Sequence, residues 1–131
     1  MQPTAVQDAR EWLARSDEDL RVAQLLLAAT PPHLGTAAYH AQQAAEKALK
    51  AFLAAHGLPF RPTHDLVDLR RQCERVDPRF AQFSGVAQLL TPYATRFRYP
   101  GGPLHPAQAE AEQAHQDADH IVRFVRQLIG I

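Results

Sequence analysis

This 131-residue chain is short of several things, and each shortage excludes a class of protein. Cys73 is its only cysteine. No internal disulfide can form, which fits a reducing cytoplasm. No apolar run approaches the ~20 residues that a membrane span requires. The first residues carry no basic-then-apolar leader. The expectation is therefore a cytoplasmic protein with no membrane contact. Net charge is also missing: Lys plus Arg and Asp plus Glu each number 14. Nothing draws the whole chain toward nucleic acid, so any electrostatic site has to come from local segregation. Period-two apolar alternation, internal repeats and low-complexity tracts are absent too. So are Gly-rich phosphate loops, paired-cysteine motifs and a Ser/His/Asp set. His115 and His120 are five apart, not the four that place two metal ligands on one helical face. The sequence implies no cofactor, neither dinucleotide nor metal.

What is present is helix. The length suits one domain over residues 1–131 that buries well over half of its unfolded surface. The stretch Ala37–Ala55 holds no Gly or Pro and is dense in strong helix formers. Ala38, Ala41, Ala45, Ala48, Phe52 and Ala55 recur at three- and four-residue steps. Such a small-residue stripe lets a neighbouring backbone approach closely and marks a central helix. His40, Gln43, Glu46, Lys47 and Lys50 occupy the opposite arc. Gln42 falls on the apolar side, where it must find a hydrogen-bond partner.

Four more segments flank this one. A first helix is expected over Thr4–Ala29, capped by Thr4, with Ala9, Leu13, Ser16, Leu20, Ala23 and Leu27 inward. Trp12 lies at the edge of that stripe. Arg10, Glu11, Arg15, Glu18 and Arg21 face water as a solvated ion-pair surface. Pro31-Pro32 stops it, and Gly35-Thr36 opens the central helix. Gly57 suits the left-handed residue that ends the central helix. Thr63 is placed to cap a third helix, with Leu66, Leu69, Cys73 and Val76 inward and Arg70, Arg71 and Arg75 outward. Cys73 is then a small core residue rather than a reactive thiol. After Asp77-Pro78 and a short turn, Ser84 is placed to cap a fourth helix through Val86, Leu89, Leu90, Tyr93 and Phe97. Pro92 breaks or kinks that run. Pro106 suits the first turn of a fifth helix, with His105 near its N-cap and Ala114, Ala118, Ile121, Val125 and Leu128 inward. The fold class expected is all-α, an up-down four-helix bundle with an additional short helix.

The central segment Tyr39-His40-Ala41-Gln42-Gln43-Ala44-Ala45-Glu46-Lys47-Ala48-Leu49-Lys50-Ala51 resembles the central helix of the HEPN domain family. Trp12-Leu13-Ala14-Arg15-Ser16-Asp17-Glu18-Asp19-Leu20 is similar to the family's first helix. Thr63-His64-Asp65-Leu66 resembles its third-helix entry, and Arg98-Tyr99-Pro100 a signature of a prokaryotic branch. The match runs in order over nearly the whole chain.

Charge is locally segregated where chemistry could sit. No acidic residue lies between Asp77 and Glu110. That window holds Arg79, Arg96, Arg98 and His105, interleaved with Tyr93, Phe97 and Tyr99. Cations, planar rings and a proline-glycine loop together suit a phosphate and a stacked base. The same residues also fit a plainer reading, in which the rings are core and the arginines solvate a helix end. His40, Lys47 and Lys50 share one face of the central helix. They suit nucleotide or RNA phosphate, or else pair with Glu46 and water.

The resemblance sharpens the first choice. Many HEPN proteins carry an Arg, four to six variable residues and a His, and this chain offers Arg98 and His105. In active members such a pair resembles a metal-independent ribonuclease site. Histidine handles the ribose 2′-hydroxyl proton, and arginine stabilises charge on the phosphorus oxygens. The expected helix N-terminus at His105 would favour neutral imidazole. Ala107 stands where full-motif members have Tyr. The resemblance implies a homodimer and a minimal nucleotidyltransferase as partner in a toxin–antitoxin-like pair. It implies nucleotide or RNA as ligand, and the charge window and the polar face of the central helix supply Arg96, Arg98, Tyr99, Lys47, Lys50 and His40 as the candidate binding residues. The alternatives are a ribonuclease toxin using Arg98 and His105, and a non-catalytic docking bundle.

Overall fold

A computed structural model describes all 131 residues. Its helices are α1 (Pro3–Ala28), α2 (Leu34–Ala55), α3 (Leu66–Val76), α4 (Ser84–Leu90) and α5 (Gln108–Ile129). Short 3-10 turns cover Pro78–Phe83 and Thr91–Ala94, and there are no strands. The all-α fold is the expected one. α2 is its axis and packs against α1, α3, α4 and α5.

The alanine stripe does what its small size allows. Ala38, Ala41, Ala45 and Ala48 are fully buried, so neighbouring backbones come close along the length of α2. At one such approach the Ser16 hydroxyl of α1 donates to the Ala44 carbonyl at 2.7 Å. The polar arc of α2, however, is largely withdrawn from water, with only His40 and Lys47 partly exposed. Gln43, Glu46 and Lys50 are buried with the rest. The cover is the segment 57–65, which turns at Gly57 (φ +67°) and runs back along α2. Its course is marked by Phe60 against Trp12, with ring centroids 5.8 Å apart, and by the His64 carbonyl accepting from Gln42 at 3.0 Å. Because the chain returns first, α3 runs in the same direction as α2. Gln42 meets His64 near the start of α3, and Leu49 meets Cys73 further on. The chain then climbs back through Pro78–Phe83 and α4. Phe80 packs on Phe52 and Phe124 in the core, with centroids at 4.6 and 5.2 Å.

Several local expectations are corrected. α1 begins at Pro3 with no side-chain cap, so Thr4 is not its cap; a proline fits the first turn because its missing N–H needs no partner there. The cap of α3 is Asp65 rather than Thr63. The Asp65 carboxylate accepts from the amides of Val67 and Asp68, while Thr63 Oγ1 accepts from the Asp65 amide. Ser84 makes no capping bond, because the preceding 3-10 turn runs directly into α4. α4 ends at Leu90 and breaks into the turn containing Pro92, as the proline requires. That leaves Leu89 exposed on a one-sided, seven-residue helix. Val76 is also exposed, where the chain swings away at the end of α3. Arg70 is buried, not outward. Its guanidinium donates to Glu74 at 2.6 Å and to the Phe80 carbonyl, so the charge is met inside. Leu20, Leu27 and Leu128 are half-buried, and Asp19 takes an inward position on α1 that the apolar stripe does not indicate.

This packing makes two outcomes testable. Ala45→Leu should overpack the α2 contact and cost about 1–3 kcal/mol, read as a lower midpoint in a thermal or urea melt; an unchanged midpoint would remove the close-contact account. Burial pushes the Cys73 thiol far above the usual cysteine range, only slightly offset by Arg70. A thiol-reactive dye at pH 8 should therefore label Cys73 only on unfolding, and rapid labelling of the folded protein would contradict that environment.

Candidate nucleic-acid interface

The acid-free window begins where Pro92 ends α4. The backbone continues in loose turns, with the Arg96 amide donating to the Pro92 carbonyl at 2.9 Å and the Arg98 amide to Thr95 at 3.0 Å. These turns sort the side chains. Tyr93 points inward, and its ring stacks on Phe97 with centroids 5.8 Å apart. Its hydroxyl donates to Glu110 on α5. Burial, then the Glu110 hydrogen bond and charge, push that hydroxyl well above the usual phenol range. Arg96, Arg98 and Tyr99 point outward. The Arg98 guanidinium lies over the Tyr39 ring at 4.1 Å from its centroid, and its Nη1 donates to the Ala94 carbonyl at 3.3 Å. Arg96 lies over Phe97 at 5.4 Å. Neither arginine meets a carboxylate, so both keep an uncompensated charge on a platform of rings.

The loop that follows folds back onto the first turn of α2. Gly101 takes φ +95°, a conformation side chains rarely adopt. Gly35 serves a close approach instead. A Cβ there would sit 3.0 Å from Phe97 Cβ and 3.5 Å from the Leu104 carbonyl oxygen. The contact opens a cleft of about 500 Å³ lined by His33, Gly35, Thr36, Phe97, Leu104 and His105, among others. α2 begins there without a side-chain cap, so its positive dipole end faces the cleft. His105 Nδ1 lies 3.0 Å from the Pro106 carbonyl oxygen. A carbonyl only accepts, so Nδ1 carries the proton, and in the neutral ring the Nε2 lone pair is free.

α5 starts at Gln108 with Ala107 as its N-cap, so Pro106 lies ahead of the helix rather than in its first turn, and His105 stands two residues before the cap. His105 shares its cleft with the start of α2, and its tautomer is set by the Pro106 carbonyl.

The structure divides the predicted residues into two sets. Arg98 docks on the second turn of α2 through Tyr39, His105 lines the cleft at the first turn together with Gly35, and Arg96 and Tyr99 lie on the same connection. His40 is next to Tyr39, with ring centroids 5.1 Å apart, but its Nδ1 is 2.8 Å from Asp19 Oδ1. Lys47 donates to the other Asp19 oxygen at 2.6 Å. Lys50 is buried and held by Glu46 at 2.9 Å. Lys47 and Lys50 lie further along α2 and are not gathered with the arginines. Tyr39, His33 and the open end of α2 belong to the site although sequence reasoning does not mark them. The one available signal is the helix start at Gly35, which shows a helix end but not what lies against it.

Residues 9–128 match the HEPN domain family. The solved structure of TT1696 from Thermus thermophilus shares 35% identity, covers 91% of this chain and 96% of that one, and superposes with a TM-score of 0.77. The structure of ST0689, an archaeal HEPN homologue, gives a TM-score of 0.75 over 92% of this chain and 97% of that one. At 24% identity that is a likeness of fold. A protein of Methanocaldococcus jannaschii named "Putative toxin MJ1304" is 43% identical over 53 residues, 40% of this chain. The match spans only 34% of that relative's length. The chain belongs to the HEPN domain family.

Proposed function

We propose that this chain is the HEPN member of a toxin–antitoxin-like pair, and that it binds RNA or a nucleotide at the start of α2. The observation that carries the reading is Arg98. Its guanidinium is spread over the Tyr39 ring at 4.1 Å with no carboxylate partner, beside the His105 cleft and the uncapped end of α2. A cation on an aromatic platform next to a positive helix end suits a phosphate with a stacked base. The partner in this reading is a minimal nucleotidyltransferase. The likeness to a toxin-named protein supports a toxin-like role.

A second reading rests on one further observation. With Nδ1 committed to the Pro106 carbonyl, His105 offers Nε2 to the cleft as a proton acceptor. In that reading His105 takes the ribose 2′-hydroxyl proton. The resulting oxygen attacks the adjacent phosphorus, and Arg98 stabilises the charge on the phosphoryl oxygens. The 5′-oxygen leaves, taking up a proton from water as the His105 imidazolium returns its proton to solvent, and the products are a 2′,3′-cyclic phosphate and a 5′-hydroxyl.

The two readings separate on the purified protein. Arg98→Ala should weaken binding of a labelled RNA and make it less salt-dependent, because fewer counterions are released. His105→Ala should leave binding nearly intact and abolish any cleavage, since a proton-transfer group acts in the transition state. EDTA-resistant cleavage lost in His105→Ala supports the ribonuclease. Binding without cleavage supports the accessory role. RNA and nucleotide binding that ignores Arg98 would end both. A homodimer belongs to the same proposal, with the exposed face of α5 and the segment after α4 as its surface. Light scattering at micromolar concentration should give twice the chain mass, and a monomer would remove it.

A further inference from the structure

The cations that the fold leaves without carboxylates are not confined to the Arg96–Arg98 segment. A second group gathers on the far side of the return segment. Arg61, from that segment, and Arg75, from α3, both line a groove of about 390 Å³ together with Pro59, Phe60, Asp68 and Gln72. Arg71 stands on the same exposed side of α3. None of the three arginines reaches a carboxylate. The acidic groups around them are already engaged. Asp65 caps α3, Glu74 is held by Arg70 at 2.6 Å, and Asp77 is held by Arg79 at 2.8 Å. The arginines come from two separate segments, so the groove is more than one helix's solvated face.

The other lining groups choose between ligands. Phe60 is half-buried, and its ring is fixed by edge contact with Trp12 at 5.8 Å. Asp68 is the one carboxylate in the groove, and Gln72 donates to it at 3.2 Å. Asp68 repels any anion placed beside it, an acidic side chain or a phosphate alike, but a nucleobase there can donate its exocyclic amino group to the carboxylate, which an acidic side chain cannot do. Guanidinium groups for phosphate, a fixed ring for stacking, and an acceptor for a base amine are the parts of a single-stranded nucleotide subsite.

We propose that the groove between the return segment and α3 is a second contact for single-stranded RNA. Arg61 and Arg75 hold phosphate, Phe60 stacks a base, and Asp68 accepts from the base edge. The inference shares with the proposed function only the class of ligand, and the two sites separate by mutation.

The test is fluorescence anisotropy of a labelled single-stranded RNA across a salt series, on the wild type, R61A/R75A and R96A/R98A. Arg61 and Arg75 are exposed, so the variant should keep the wild-type melt, which circular dichroism checks. R61A/R75A should bind more weakly and flatten the salt slope by about 1.4, at ~0.7 per lost phosphate contact. Retention of affinity in R61K/R75K would show that charge at these positions is what matters. Loss in R96A/R98A alone, with R61A/R75A unchanged, overturns the second contact and leaves the first site standing. Loss in R61A/R75A alone supports this groove and removes the other site. Absence of RNA binding in the wild type overturns both. A poly-glutamate peptide whose binding is lost in R61A/R75A, with RNA indifferent to that variant, would overturn the RNA assignment in favour of an acidic protein.

Discussion

The rest of the structure depends on a buried carboxylate, that of Glu46. It sits in the middle of α2 at 3% exposure, where an unmet charge would be prohibitive. It is met on every side. Lys50 donates to Oε2 at 2.9 Å, and His64 Nδ1 approaches Oε1 at 2.8 Å. The Gln42 amide reaches Oε1 at 3.3 Å and also donates to the His64 carbonyl at 3.0 Å. Gln43 in turn donates to the Gln42 side-chain oxygen at 2.7 Å. Two of these bonds cross from α2 to the return segment, so satisfying Glu46 and docking that segment are one event. Removing one partner of such a pair costs about 3–5 kcal/mol, because the other charge stays buried. The network thus fixes register as much as it adds stability: α3 starts where His64 is held.

Asp19 does the same work between α1 and α2, taking His40 on one oxygen and Lys47 on the other. Together the two carboxylates clamp the polar arc of α2 from both flanks, while the alanine stripe seals its opposite side. α2 is held all round except at its first turns. That exception is what makes a site. There the backbone of α2 is left without a side-chain cap, and there a loop from further along the chain settles against it. The placement of Arg98 on Tyr39 and of Phe97 and Leu104 against Gly35 is therefore a consequence of where the packing of α2 stops.

Much of this is legible in the sequence because it follows from spacing. The alanine period marks α2 and its central place, Pro92 marks the break after α4, and Gly57 marks the turn. Gln42 is the informative case: helical phase puts an amide among apolar residues, and the structure supplies the partners that burial demands. The errors have a common cause. Glu46 and Lys50 fall on a polar arc by helical phase, which shows which residues share a face but not what covers that face. The cover is nine residues without periodicity, 57–65, on which a periodic argument has no purchase. Arg70 departs from its expected outward position for the same reason, since α3 is enclosed by α2 on one side and the Pro78–Phe83 turn on another. The starts of α3 and α5 lie two residues beyond the caps that Thr63 and Pro106 suggest, with Asp65 as cap and Gln108 as first residue. Thr63 and Asp65 both offer cap chemistry, and only the backbone path selects between them, whereas Ala107 at the start of α5 offers none. The candidate site is legible as a charge window. Its geometry is not, because Tyr39 and Arg98 are far apart in sequence and nothing in either marks the other.

The use of the cations explains why unpaired charge collects at the edges of this fold. Lys47 and Lys50 lie on its most distinctive helix, yet both are consumed by Asp19 and Glu46 in holding that helix in place. A lysine that neutralises a buried carboxylate cannot also offer its charge to a phosphate without exposing the carboxylate to the cost it was placed to prevent. The arginines of the acid-free segment and of the return-segment groove carry no such obligation. Their guanidinium groups rest on rings or in solvent, and changing them leaves no buried acid behind. A fold that commits its central charges to structure leaves its peripheral ones uncommitted, and Arg61, Arg75, Arg96 and Arg98, on the segments between helices and on the outer face of α3, are therefore the cations that the proposed RNA contacts draw on, rather than the lysines of α2.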